Sequence, residues 1–231
     1  MKRTMFLFLV CGLVIFMLGL GWLMLPKAAL AREGVLPQAV TITSADLSIN
    51  IMTGTVTGTA AIHRITSTWT ENSVTWNNFN GKFNPTVIAT FTPKSTGWVT
   101  VSITSLVQGW VNGTYPNYGL AITKGNGPNF VFYHPSIDTD VLLRPKLKVC
   151  YDTPASGNVC RTIQRLGSAQ DGVMDSFVCK GLPDFNPTQF PFRSFGQVEV
   201  IARQSFLRFD FNLLPTSIIR LPAIFNNFKT P

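Results

Sequence analysis

The stretch WVTVSIT, residues 98–104, alternates apolar and hydroxyl side chains with a period of two. Successive side chains of a strand point to opposite faces, so the segment presents one apolar and one hydroxylated face and reads as a half-buried strand. Working outward, short segments of the same kind recur at 41–51, 60–65, 86–91, 119–123, 129–133 and 146–151, each bounded by Gly, Pro, Asn or Ser. One strand every dozen residues or so, without helical patterns between them, predicts an all-β fold of antiparallel sheets packed as a sandwich. One stretch departs from this period. Ile103, Leu106, Val107 and Trp110 recur at three- and four-residue spacing ahead of Gly113. That spacing predicts one or two helical turns opened by Thr104 as N-cap, with Trp110 turned into the core.

Beyond residue 151 a Pro-, Ser- and Gly-rich run reads as a linker over 154–161, followed by a second β-like region at 197–202, at 205–211 and at Ile218 and Ile219. Phe206, Leu207, Phe209 and Phe211 make that region too apolar for a surface, so it must pack against something. Charged residues are only 13% of the chain, while Thr, Ser, Asn, Gly and Pro fill the gaps, a composition suited to extracellular β-sandwiches.

Lys2 and Arg3 precede an apolar run over residues 5–25 and a small-residue exit at Ala29 to Ala31, which is the plan of a secretory signal peptide over residues 1–31. The run is also long enough to anchor the chain in a bilayer, so a membrane contact is expected only through an uncleaved leader. Export places the protein outside the cytoplasm or on the cell surface. Loss of the leader removes three of the 19 basic residues and lowers the formal net charge from +8 to +5. The remaining charges are scattered, without the basic patch that nucleic-acid binding needs. Three cysteines stay behind. Cys150 with Cys160 and Cys160 with Cys179 are equally permitted disulfides, and three free thiols are the alternative.

An internal echo links the two regions, since LPQAVTITSADLSI begins at Leu36 and LPTSIIRLPAIFNN at Leu214. The blocks WTENSVTWNN at 69–78, VQGWVNGTYPNYGL at 107–120 and RPKLKV at 144–149 resemble the C-terminal part of the DNRLRE domain, also called carbohydrate-binding module family 96. FLRFDFNLLPTSII at 206–219 and IQRLGSAQDGVMDSF at 163–177 resemble that family's N-terminal part. The resemblance implies a jelly-roll β-sandwich that binds carbohydrate, with the family's C-terminal part at 35–153 placed before its N-terminal part at 162–222, and a frayed tail at 223–231. A jelly roll without its opening strands exposes a sheet edge and an open core. Two accounts follow: a circularly permuted single jelly roll, or two incomplete units of a tandem array.

Tyr115, Asn117 and Tyr118 lie in a Gly- and Pro-rich turn and are the expected ligand contacts, joined by Trp76 as a ring that stacks on a sugar face. The competing reading has Trp69 and Trp76 filling the sandwich. Asp138 and Asp140, near Asn129, are candidate ligands for calcium, the one cofactor these residues suggest. No nucleophile, metalloprotease or nucleotide-binding motif is present. A glycosidase would need Glu71 paired with Asp138 or Asp140 across one sugar, which nothing in the sequence recommends. The expected function is therefore a non-catalytic module whose partner is a polysaccharide, with a structural spacer of the cell surface as the alternative and a hydrolase a distant third.

Overall fold

The computed structural model describes residues 40–54, 58–124, 129–153, 157–167, 172–198 and 200–214. The leader at 1–31, Ile218, Ile219 and the tail at 223–231 lie outside them. Eleven strands are described: β1 (Ile42–Thr53), β2 (Ala60–Ile65), β3 (Phe83–Phe91), β4 (Gly97–Ser102), β5 (Leu120–Lys124), β6 (Asn129–Tyr133), β7 (Lys146–Thr153), β8 (Gly157–Gln164), β9 (Val173–Cys179), β10 (Arg193–Val198) and β11 (Ile201–Phe209). Two short helices accompany them, α1 (Trp76–Phe79) and α2 (Thr104–Val111). Every pairing is antiparallel, and the strands form one curled sheet in the order β3-β2-β5-β11-β10-β6-β1-β7-β8, with β4 on β1 and β9 on β11. The chain is an all-β sandwich, as the strand spacing predicts.

The C-terminal strands are inserted into the sheet rather than appended to it. Strand β10 pairs with β6, placing Phe195 opposite Val131, and β11 pairs with β5, placing Leu207 opposite Leu120. Side-chain alternation then gives β11 two buried faces. Leu207 and Phe209 join the main core with Leu47, Ile49, Leu120, Ile122 and Trp110, while Phe206 enters a second cluster with Trp69, Val74, Phe79 and Met174. This accounts for a segment too apolar for any surface: it is covered on both sides.

The two regions approach closely at Gly119. Its φ is +93°, and a β-carbon there would stand 2.2 Å from the Leu207 carbonyl oxygen. Glycine is required both for the left-handed backbone and for the contact. Gly119→Ala is expected to lower stability by about 3 kcal/mol in urea denaturation. A loss below about 0.5 kcal/mol would show that β5 and β11 do not meet this closely.

Three sequence readings need correction. The linker expected over 154–161 is mostly strand, since β8 starts at Gly157 and pairs with β7. The turn-forming composition marks a hairpin, not a domain boundary. The strand expected at 197–202 spans the turn of a second hairpin, with β10 ending at Val198 and β11 starting at Ile201. Thr104 is not the N-cap of α2: Ile103 holds that position, and the Thr104 hydroxyl instead accepts from the Ala45 amide at 3.0 Å. Trp110 is 1% exposed, in the core as expected. Cys150 and Cys160 stand directly opposite in the β7–β8 ladder and form a disulfide, and Cys179 is a buried free thiol.

Candidate functional site

The WTENSVTWNN block covers the outer face of the sheet around β11, and each of its distinctive residues has an internal partner. Trp69 is buried and donates from Nε1 to the Tyr118 carbonyl at 2.8 Å. Thr75 and Asn78 cap α1 reciprocally, the Thr75 amide donating to Asn78 Oδ1 at 2.9 Å. Asn77 reaches the C-terminal region, donating to Asp184 Oδ1 at 2.7 Å. Glu71 is 2% exposed and accepts from the Asp175 amide at 2.7 Å, with Arg165 Nη1 4.0 Å from its other oxygen. Asp175 accepts from the Ser136 amide and hydroxyl at 2.7 and 2.8 Å and pairs with Arg193 at 3.0 Å, both ionic side chains being fully buried. Two carboxylates and two guanidiniums thus form an internal network joining residues 71, 136, 165, 175 and 193. Burial raises the Glu71 pKa above its ordinary value, helped by the Asp175 charge and opposed by the Asp175 amide and both arginines.

This network holds the first carboxylate of the hydrolase reading inside the protein. Glu71 is held inside the protein and faces Asp175, whereas Asp138 and Asp140 cap surface turns. Asp138 accepts from His134 Nδ1 at 2.7 Å and from the Asp140 amide at 2.9 Å, and Asp140 accepts from the Leu142 amide at 2.9 Å. Three of the four carboxylate oxygens are therefore engaged within one turn, short of the six to eight oxygens that calcium gathers. Among the described residues no group of three or more His, Cys, Asp or Glu is placed to hold a metal.

The turn residues separate. Asn117, expected to be exposed, is buried, donating to the Phe209 carbonyl at 2.9 Å and accepting from the Gly119 amide at 3.1 Å. Tyr115 lies under the Arg64 guanidinium, 4.4 Å from the ring centre, and packs on the main core. Trp76 and Tyr118 are half-buried against the second cluster.

An open groove lies elsewhere, where β3, β5, β10 and β11 come together. It has a volume of about 380 Å³ and is lined by Phe83, Thr123, Lys124, Gly196, Gln197, Ala202, Arg203 and Gln204. None of these is acidic, and among the described residues no carboxylate lies within ion-pair distance of Lys124 or Arg203. The Arg203 guanidinium stacks 4.1 Å above the Phe130 ring and donates to Ser194 Oγ at 3.3 Å. Gly196 stands between Arg203 and Phe130 in the ladder, so the arginine crosses a position without a side chain. Among the described residues Gln204 Oε1 has no hydrogen-bond partner, and it is buried in the groove wall. Stacking fixes the guanidinium plane, while its edge keeps the geometry that matches a carboxylate. No sequence spacing reveals this set, because its members come from four strands that are joined only by the sheet order.

No curated protein matches the chain, and no solved structure does. A family model described as Carbohydrate-binding module family 96 matches residues 34–149, which holds the buried-tryptophan block, α2 and the groove residues of β3 and β5. With half of its length covered by that match and an all-β sandwich to carry it, the chain belongs to carbohydrate-binding module family 96.

Proposed function

We propose that this protein is an exported, non-catalytic module that binds an acidic polysaccharide in the groove of β3, β5, β10 and β11. The groove lining carries the reading: two cations, two glutamines and one phenyl ring without a carboxylate. Lys124 and Arg203 supply charge-assisted hydrogen bonds to uronate or sulfate groups, the glutamines bond to hydroxyls, and Phe83 offers a face for sugar C–H bonds. The run at residues 5–25 supports export. Insertion of β10 and β11 between β5 and β6 supports a single jelly roll in permuted order over a pair of incomplete units.

Affinity electrophoresis against polygalacturonate, alginate, xylan and cellulose tests the reading. Retention is expected on the acidic polymers, weakening as salt rises. Lys124→Gln is expected to lower affinity about tenfold, the equivalent of one charge-assisted hydrogen bond of about 1.4 kcal/mol. Equal retention on neutral polymers, or an unchanged Lys124→Gln variant, would overturn the acidic-groove assignment. Absence of retention on every glycan would leave the spacer reading in its place.

A further inference from the structure

Arg203 belongs to two surfaces at once. It lines the groove, and its guanidinium also lies 4.1 Å from the centre of the Phe130 ring and 5.5 Å from that of Phe132. From there a row of phenyl rings continues: Phe130 to Phe132 at 6.5 Å, Phe132 to Phe192 at 5.1 Å, and Phe192 to Phe190 at 5.3 Å between centroids. Phe130, Phe132 and Phe192 are half-buried, and Phe190 is 38% exposed. The buried Phe177 ring backs the row, stacked 5.9 Å from Phe192.

A line of partly exposed rings is costly on a soluble surface and marks a place where something apolar is laid down. We infer that the row is the continuation of the glycan site, so that the module grips an internal stretch of one polysaccharide chain. Charged groups of the sugar are anchored at Lys124 and Arg203, and the C–H faces of following residues lie along Phe130, Phe132, Phe192 and Phe190. Continuity through Arg203 is what selects this occupant, because the same guanidinium that pairs with the anchored residue forms the first step of the aromatic track. Successive rings meet edge to face at 69°, 84° and 80°, so the track offers alternating ring faces and edges, a surface suited to the mixed axial and equatorial hydrogens of a sugar. The inference rests on the groove reading above and adds to it a dependence on ligand length.

The test compares a disaccharide with an octasaccharide cut from polygalacturonate and from alginate, by titration calorimetry on the full protein. The octasaccharide is expected to bind at least tenfold more tightly. Phe190→Ser, at an exposed position, is expected to remove most of that gain while leaving disaccharide affinity unchanged, whereas Lys124→Gln weakens both ligands. Independently of any variant, the ring signals of Phe190 and Phe192 in NMR spectra are expected to shift with the octasaccharide and not with the disaccharide. Equal affinity for both lengths, or a Phe190→Ser variant and ring signals that do not respond to the octasaccharide, would overturn the track while leaving the groove intact. Insensitivity to Lys124→Gln with length dependence retained would instead remove the groove. No binding of either length would overturn both.

Discussion

Asp175→Ala is expected to destabilise the fold by about 3–5 kcal/mol, a large share of the total stability of a domain, because it leaves a charged group buried without its counter-ion. Arg193 is fully buried and its Nη2 lies 3.0 Å from Asp175 Oδ1. Its other hydrogen bonds among the described residues go to main-chain carbonyls of Thr188, Phe190 and Phe192, which do not neutralise a cation. Ser136 loses two acceptors at the same time. Urea unfolding followed by circular dichroism measures the loss. An Asp175→Ala/Arg193→Met double variant is expected to recover part of it, since the unpaired charge is then gone. A single variant within about 1 kcal/mol of the parent would mean that the pair contributes nothing to the fold.

Glu71, in the same network, behaves differently. Its folded-state pKa is raised above the ordinary 4.5, chiefly by burial and next by the Asp175 charge. Between these two values the folded chain binds more protons than the unfolded one, so the Glu71 contribution to stability is present below the ordinary pKa and is lost as pH rises through the folded value. Glu71→Gln keeps an acceptor for the Asp175 amide and cannot ionise. The stability of this variant is therefore expected to fall less than that of the parent as pH increases from about 4.5 toward neutrality. Parallel stability curves would sink this account of Glu71.

Strand β4 of the first region was legible because one of its faces is solvated, so a period of two survives in the sequence at residues 97–102. Strand β9 is buried on both faces, and a continuous run such as that of Val173–Cys179 carries no alternation to read. The pairings of β7 with β8 and of β10 with β11 were hidden for another reason. Turn-forming composition looks the same in a linker and in a hairpin until pairing is known. Turn residues were expected to bind ligand because Gly and Pro mark exposure, yet Asn117 is drawn inside by the Phe209 carbonyl, a partner 92 residues away. The groove had no local signature at all. Its lysine lies on β5, one glutamine on β10, and the arginine with the other glutamine on β11, strands that only the sheet order brings together.

A chain that ends at residue 153 is expected not to fold, although it contains the whole of the family match at 34–149. It loses Phe195, Phe206, Leu207, Phe209 and Phe211 from the interior, each fully buried or nearly so. At about 1.5–3 kcal/mol for every such side chain, the five together forfeit about 8–15 kcal/mol, as much as the 5–15 kcal/mol by which a domain is ordinarily stable. The free edges of β5 and β6 and the loss of the Asp175 amide from Glu71 would add to the loss. Loss of dispersion in amide NMR spectra, with binding of a hydrophobic dye, would register the failure, and addition of a peptide covering 157–231 is expected to restore a dispersed spectrum. Cooperative unfolding of the truncated chain alone would refute the insertion of the C-terminal strands as a condition of folding. Five of the eight groove residues also leave with the truncation, so folding and glycan retention are expected to disappear together, whereas Lys124→Gln weakens retention in a folded protein. That difference separates the residues that build the module from those that use it.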